Sequence, residues 1–144
     1  MTDSEDALSK LVLYIDGASR GNPGAAGFGV HAQDAAGEVT ELFGYIGRTT
    51  NNVAEYQALL QALRFARARG ARCVEVFSDS ELLVRQVNGE YRVRNPGLVP
   101  LHSEARMLLG GFARARVVHV GRERNVEADR LANKAIDQQS SNLC

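Results

Sequence analysis

Residues 11–17, Leu11-Val12-Leu13-Tyr14-Ile15-Asp16-Gly17, decide the fold. Five apolar residues in a row, rich in β-formers and closed by an acid and a glycine, read as a buried strand that ends at Asp16. A glycine-rich turn from Gly17 to Ala25 follows. Residues 27–32 and 39–46 then read as two further strands, and Asp34-Ala35-Ala36-Gly37 between them is a turn signal, so the two pair as a hairpin. Past residue 50 the period changes. Ala54, Ala58, Leu59, Ala62, Leu63 and Ala66 mark one face of a helix, with Asn51 or Asn52 as N-cap and Gly70 as the stop.

The rest of the chain alternates. Residues 73–78 form a fourth strand, and 80–87 a short helix stopped by Asn88-Gly89. Residues 91–100 are irregular and 101–109 helical. Residues 117–120 form a fifth strand. Asn125 caps a last helix that buries Ala128, Leu131, Ala132 and Ala135. Three opening strands suit an antiparallel meander, and strands separated by helices suit parallel crossovers. The expectation is an α/β fold: a mixed five-stranded sheet, three antiparallel then two parallel strands, flanked by helices. One domain spans 10–138, with a disordered tail at 1–9 and a second tail at 139–144.

Length and composition fit this reading. The chain has 144 residues, 44% hydrophobic and 24% charged, with 17 basic and 17 acidic side chains and no net charge. That balance argues against a protein that grips nucleic acid by charge alone. No apolar stretch approaches the ~18 residues that span a bilayer. The polar, acidic N-terminus is unlike a secretory signal. Cys73, at the start of a strand, and Cys144, the last residue, are poor disulfide partners, which suits a reducing cytoplasmic setting.

Four acids carry the chemistry. Asp16 and Asp79 end apolar runs, whereas Glu55 and Asp129 lie near helix starts. Acids at strand ends of parallel neighbours share one edge of a sheet, the edge where open α/β sheets place their sites. A single acid near a helix start is satisfied by capping or by the helix dipole. Four at one edge repel one another unless cations hold them, and oxygen-only ligands suit Mg2+. Thr50, Asn51 and Asn52, beside Glu55, offer short donors and acceptors for phosphate oxygens and 2′-hydroxyls. The glycines after Asp16 match neither a dinucleotide fingerprint nor a Walker loop.

The blocks YIDGASRGNPGAAGFG (14–29), GRTTNNVAEYQAL (47–59), FSDSELLVRQVNG (77–89) and RERNVEADRLANKA (122–135) together resemble type 1 ribonuclease H. The resemblance implies a ribonuclease H-like fold and a hydrolase that cuts the RNA strand of RNA/DNA hybrids with two Mg2+ ions, Mn2+ substituting. It implies 5′-phosphate and 3′-hydroxyl ends. By it, Asp16 bridges both metals, Glu55 and Asp79 hold the one that activates water, and Asp129 helps hold the other. Thr50 resembles part of a phosphate pocket for the DNA strand. Asn51, Asn52, Gly17, Ala18, Ser19 and Asn22 resemble minor-groove readers, with Ser80 a further substrate contact. The implied partner is the hybrid duplex, bound by a monomer that needs no obligate protein partner and no membrane.

The chain departs from the family pattern in three places. No histidine stands in the loop before the last acid, where Arg122 or Arg124 falls instead; Arg122 is assigned to product release or charge stabilisation, with His119 as the alternative. There is no tryptophan and no lysine-rich protrusion, and residues 91–96 stand in that region. Glu81 replaces an amide common two residues after the third acid. Three rival readings are a non-catalytic hybrid-binding module on the same fold, a junction resolvase or transposase core, and a flavodoxin-like small-molecule binder, the last opposed by the three consecutive opening strands. The intact acids oppose the first, and the GNPG and TTNN blocks oppose the second.

Overall fold

Strand β1, Lys10–Gly21, occupies the centre of a sheet ordered β3-β2-β1-β4-β5 in the computed structural model, which describes residues 9–143. Strands β2 (Gly24–Asp34) and β3 (Val39–Thr49) complete an antiparallel meander. Strands β4 (Cys73–Ser78) and β5 (Arg114–His119) lie parallel to β1. The architecture is the expected mixed sheet with helices on it.

The long β1 corrects one expectation. The chain does not turn at Gly17: β1 pairs with β2 from Leu11↔Asp34 to Gly21↔Gly24, and the turn falls at Asn22-Pro23. The parallel ladder to β4 stops earlier, at Ile15↔Ser78. β2 goes on supplying backbone partners after β4 has left, so the glycine-rich residues stay extended. Asp16 therefore lies within a strand, at the fork where one of its two neighbours departs. Strand β5 starts before the expected residue 117. Its first three residues are exposed and include two arginines, an edge pattern that hides a strand from a search for apolar runs.

Helix α1, Asn51–Ala68, covers one face of the sheet. Its buried Ala54, Ala58, Leu59, Ala62, Leu63 and Ala66 pack in one core with Leu13, Ile15, Val30 and Val76. Thr50, not an asparagine, caps it: Thr50 Oγ1 accepts from the Val53 N–H at 3.3 Å. Helix α2 (Glu81–Val87) is capped by Ser80, and α3 (Val99–Gly110) packs on α1. Pro100 in the first turn lets α3 begin slightly ahead of the expected 101.

Helix α4, Val126–Gln138, covers the other face, over β1, β2 and β3. Alternation along β2 makes this possible: Phe28 and Val30 face the α1 core, and Gly29 faces α4. A Cβ at Gly29 would stand 2.3 Å from the Ala128 carbonyl oxygen, so the helix sits directly on backbone. The segment after α4, expected to be a tail, runs along the edge of β3. Ser140 accepts from the Tyr45 N–H at 3.0 Å, and the Asn142 side chain accepts from the Phe43 N–H at 2.8 Å and donates to the Glu41 carbonyl at 2.8 Å. The expected N-terminal tail, save Ser9, and Cys144 lie outside the described residues; the Cys73 thiol is free.

Candidate active site

The fork in the sheet gathers the acids. Asp16 follows the last β1–β4 pair and is 5% exposed, and Asp79 follows the last residue of β4 and is half-buried. Glu55 projects from α1 into the same space. It lies in the second turn of that helix, not the first, so neither capping nor the helix end accounts for it. It is 5% exposed and fixed from below, because the Gly17 N–H donates to Glu55 Oε1 at 2.7 Å. Oxygen atoms of Asp16, Glu55 and Asp79 all lie within 4.8 Å of one another.

Asp129 stands exposed on the first turn of α4, its carboxyl within hydrogen-bond reach of Asp16. The four acids border one open cleft of about 380 Å³. Crowding marks their titration. Burial first, then the charges of Glu55, Asp79 and Asp129, push the Asp16 carboxyl well above the ordinary carboxylate range. Burial likewise raises Glu55, and Asp79 adds to the rise, whereas the Gly17 N–H and the Arg122 charge pull it back. Two buried carboxylates that resist ionisation, beside a third within reach, form a site that gains strongly from a divalent cation. The donors are all oxygen, as hard cations require.

The other expected site residues fall into three groups. Gly17, Ala18, Asn51 and Arg122 border the cleft. Ser19, Asn22 and Thr50 stand on the adjoining rim with their side chains engaged: the single Ser19 hydroxyl hydrogen is shared between the Gly21 carbonyl and the Thr49 carbonyl, the latter at 2.9 Å, and Asn22 Oδ1 accepts from the Asn51 N–H at 3.1 Å. Asn52 is exposed on the first turn of α1. Ser80 lies apart, its hydroxyl accepting from the Leu83 N–H at 3.3 Å as the cap of α2. His119 ends β5 and does not border the cleft. Glu81 is paired with Arg85 at 2.9 Å, which directs its charge along α2.

Two asparagines carry more than the sequence suggested. Asn125 occupies the N-cap position of α4, yet its side chain makes no capping bond and donates instead to the Ile15 carbonyl at 2.8 Å. Asn133 borders the cleft and donates to the Asp129 carbonyl at 3.0 Å. Its place four residues after an acid on a helix was the available signal. A separate group, His31, Glu41 and Glu127, is already bridged by a cation, because Arg130 lies 2.7 Å from Glu41 and 3.0 Å from Glu127.

Comparison with known proteins places this geometry among relatives. The reverse transcriptase-like family model matches residues 14–135. The bifunctional protein Rv2228c of Mycobacterium tuberculosis is 45% identical over 130 residues, which are 89% of this chain and 36% of that protein. The chain thus spans about a third of the length of the mycobacterial relatives it matches. Ribonuclease HI of Halobacterium salinarum is 45% identical over 133 residues, 92% of this chain and 67% of the other. The crystal structure of LC11-RNase H1 in complex with an RNA/DNA hybrid superposes with a TM-score of 0.83 at 42% identity, covering 90% of this chain and 98% of that one. Among the described residues no helix is long and apolar enough to cross a membrane.

Proposed function

The chain belongs to the reverse transcriptase-like family as a ribonuclease H1-like domain, and from that premise we propose that it is an endonuclease hydrolysing the RNA strand of RNA/DNA hybrids. The observation that carries the reading is the mutually repelling set of buried Asp16 and Glu55 with half-buried Asp79 at the fork, and Asp129 beside Asp16. Its lack of a loop histidine and of a basic protrusion supports a reading of it as one of the shorter subgroup.

Asp16, Glu55, Asp79 and Asp129 would hold a pair of Mg2+ ions, or Mn2+ in their place. Bound there, such ions supply a water of lowered pKa and offset charge on the departing 3′-oxygen. The chain's own residues do the rest. The Gly17 N–H locks Glu55 Oε1 in one orientation, so that acid enters the cleft with its rotamer already chosen. Arg122, whose charge reaches Glu55, supplies a permanent positive charge beside the reacting phosphate. Gly17, Ala18, Ser19, Asn22, Asn51 and Asn52 offer backbone and amide groups to the minor groove, where the 2′-hydroxyl separates RNA from DNA. Thr50 receives a DNA phosphate, and Ser80, as the α2 cap, acts on substrate only through the Asp79 loop. The free thiol of Cys73 suits a reducing cytoplasm, and the covered β3 edge suits a monomer.

The test is a hybrid labelled on its RNA strand, incubated with Mg2+, with Mn2+ and with chelator, beside the Asp79→Asn variant. Metal-dependent cutting of RNA alone, lost in the variant, is the expected result, with 5′-phosphate and 3′-hydroxyl ends. Tight hybrid binding without cutting in either metal would replace the enzyme by a binding module.

A further inference from the structure

Asp16 and Asp129 are held by different parts of the molecule. Asp16 is built into the sheet, whereas Asp129 rides on the exposed first turn of α4. Something has to set the offset between them, and Asn125 is placed to do so. It is 1% exposed, unusual for an asparagine. Its Nδ2 donates at 2.8 Å to the carbonyl of Ile15, the residue before Asp16. Its backbone carbonyl accepts the Asp129 N–H at 3.1 Å. One residue therefore connects the backbone beside one acid to the backbone of the other.

Asn125 is poorly explained as a source of stability. Its Oδ1 is buried and has no hydrogen-bond partner. An orphaned buried acceptor gives up its hydration with no bond in return. An asparagine kept as a helix cap would turn its oxygen toward the free N–H groups of α4. This one spends its amide on β1 and leaves its oxygen unmatched. A residue retained at such a cost, between two acids of one site, is serving geometry.

We propose that Asn125 is a positioning residue: it clamps the first turn of α4 to β1 and so sets the separation of the Asp129 and Asp16 carboxylates that a bound divalent cation meets. The inference rests on the reading of the four acids as a metal cage. It touches neither substrate nor metal, and acts through the two backbones it joins.

Metal binding without turnover tests it. Wild type, Asn125→Ala, Asn125→Leu and Leu131→Ala are titrated with Mn2+ in the absence of nucleic acid, and the melting temperature is read. Leu131→Ala destabilises the same helix through its buried packing against Phe43, away from the cleft. Asn125→Leu keeps the side-chain volume should the alanine variant fail to fold. The rise grows with the logarithm of metal concentration, so wild type and Leu131→Ala reach the same rise at the same Mn2+ concentration, while the Asn125 variants need about tenfold more for it, the loss typical of partners that orient metal ligands. In cleavage assays kcat falls with KM for the hybrid unchanged. Asn125 variants that melt lower but titrate like wild type, or a Leu131→Ala curve displaced as far as theirs, would overturn the proposal. A wild type that shows no rise at all would remove the metal cage itself, and this inference with it.

Discussion

The backbone N–H of Gly17 donates to Glu55 Oε1 at 2.7 Å, so the strand that carries one acid directly orients the side chain of another. The bond exists because α1 lies against bare backbone. A Cβ at Gly17 would stand 2.2 Å from the Ala54 carbonyl carbon. Helix position and carboxylate position are thus one variable.

Gly17→Ala pushes α1 outward and breaks that bond. The expected destabilisation is about 1–3 kcal/mol or more, typical of overpacking. Cleavage falls further than stability does, because Glu55 loses its orientation. Urea denaturation beside hybrid cleavage at a temperature where both proteins are folded measures the two effects. Wild-type turnover per folded molecule would contradict the coupling.

Asp79→Asn removes a half-buried charge from a crowded group and leaves the core untouched. Cleavage is expected to fall by more than the ~10–100-fold that follows loss of a second-layer partner. The metal-free variant melts no lower than wild type, because a repulsion has gone. Cleavage rates and calorimetric melting in chelator check this pair of outcomes.

Metal should raise the melting temperature of the wild type. At tenfold excess over its dissociation constant a cation adds about 1.4 kcal/mol, a shift of about 5 °C for a domain of this size. Asp79→Asn shifts less at the same Mg2+ concentration. Equal shifts in the two proteins would mean that the cation binds elsewhere.

The metal-free protein has an unusual pH dependence. Asp16 and Glu55 have folded-state pKa values above their unfolded ones, so the native state carries more protons than the unfolded chain. Stability then falls as pH rises. The contribution is fully present below the unfolded carboxylate range, near pH ~4, and is lost as pH climbs through neutrality toward the raised folded values. The melting temperature in chelator therefore drops between about pH 5 and about pH 8. Asp16→Asn flattens that slope, which thermal scans across the range will reveal.

Arg122→Ala is expected to lower kcat by about a hundredfold, the lower end of the range for loss of one electrostatic stabiliser. Its side chain is exposed on a single 3-10 turn, so melting stays near wild type. Steady-state kinetics separate this from a binding defect, which would appear in KM instead.

Much of this site was readable before the structure, because its parts sit at changes of period. The apolar run before Asp16, the run before Asp79 and the switch to helical spacing around Glu55 each mark a boundary, and boundaries at one sheet edge converge. What escaped depended on neighbours. Gly17 to Gly21 read as a turn because glycines suit turns, and only the partner β2 keeps them extended. Thr50 is masked as the cap by the two asparagines that follow it. Asn125 was assigned to its own helix, since a sequence cannot say that a strand carbonyl 110 residues away will claim its amide. The segment after residue 138 looked like a tail because its pairing uses backbone and one asparagine, with no apolar pattern to announce it.

The fork in β1 places a limit on strand length. β4 leaves the sheet after Ser78, and that departure keeps Asp16 open on one side. A variant whose β4 continued for another residue or two would zip the gap closed, with every acid still present and every core residue still packed. The catalytic opening is a missing stretch of ladder, so an insertion before Asp79 could silence the protein while leaving it better ordered than before.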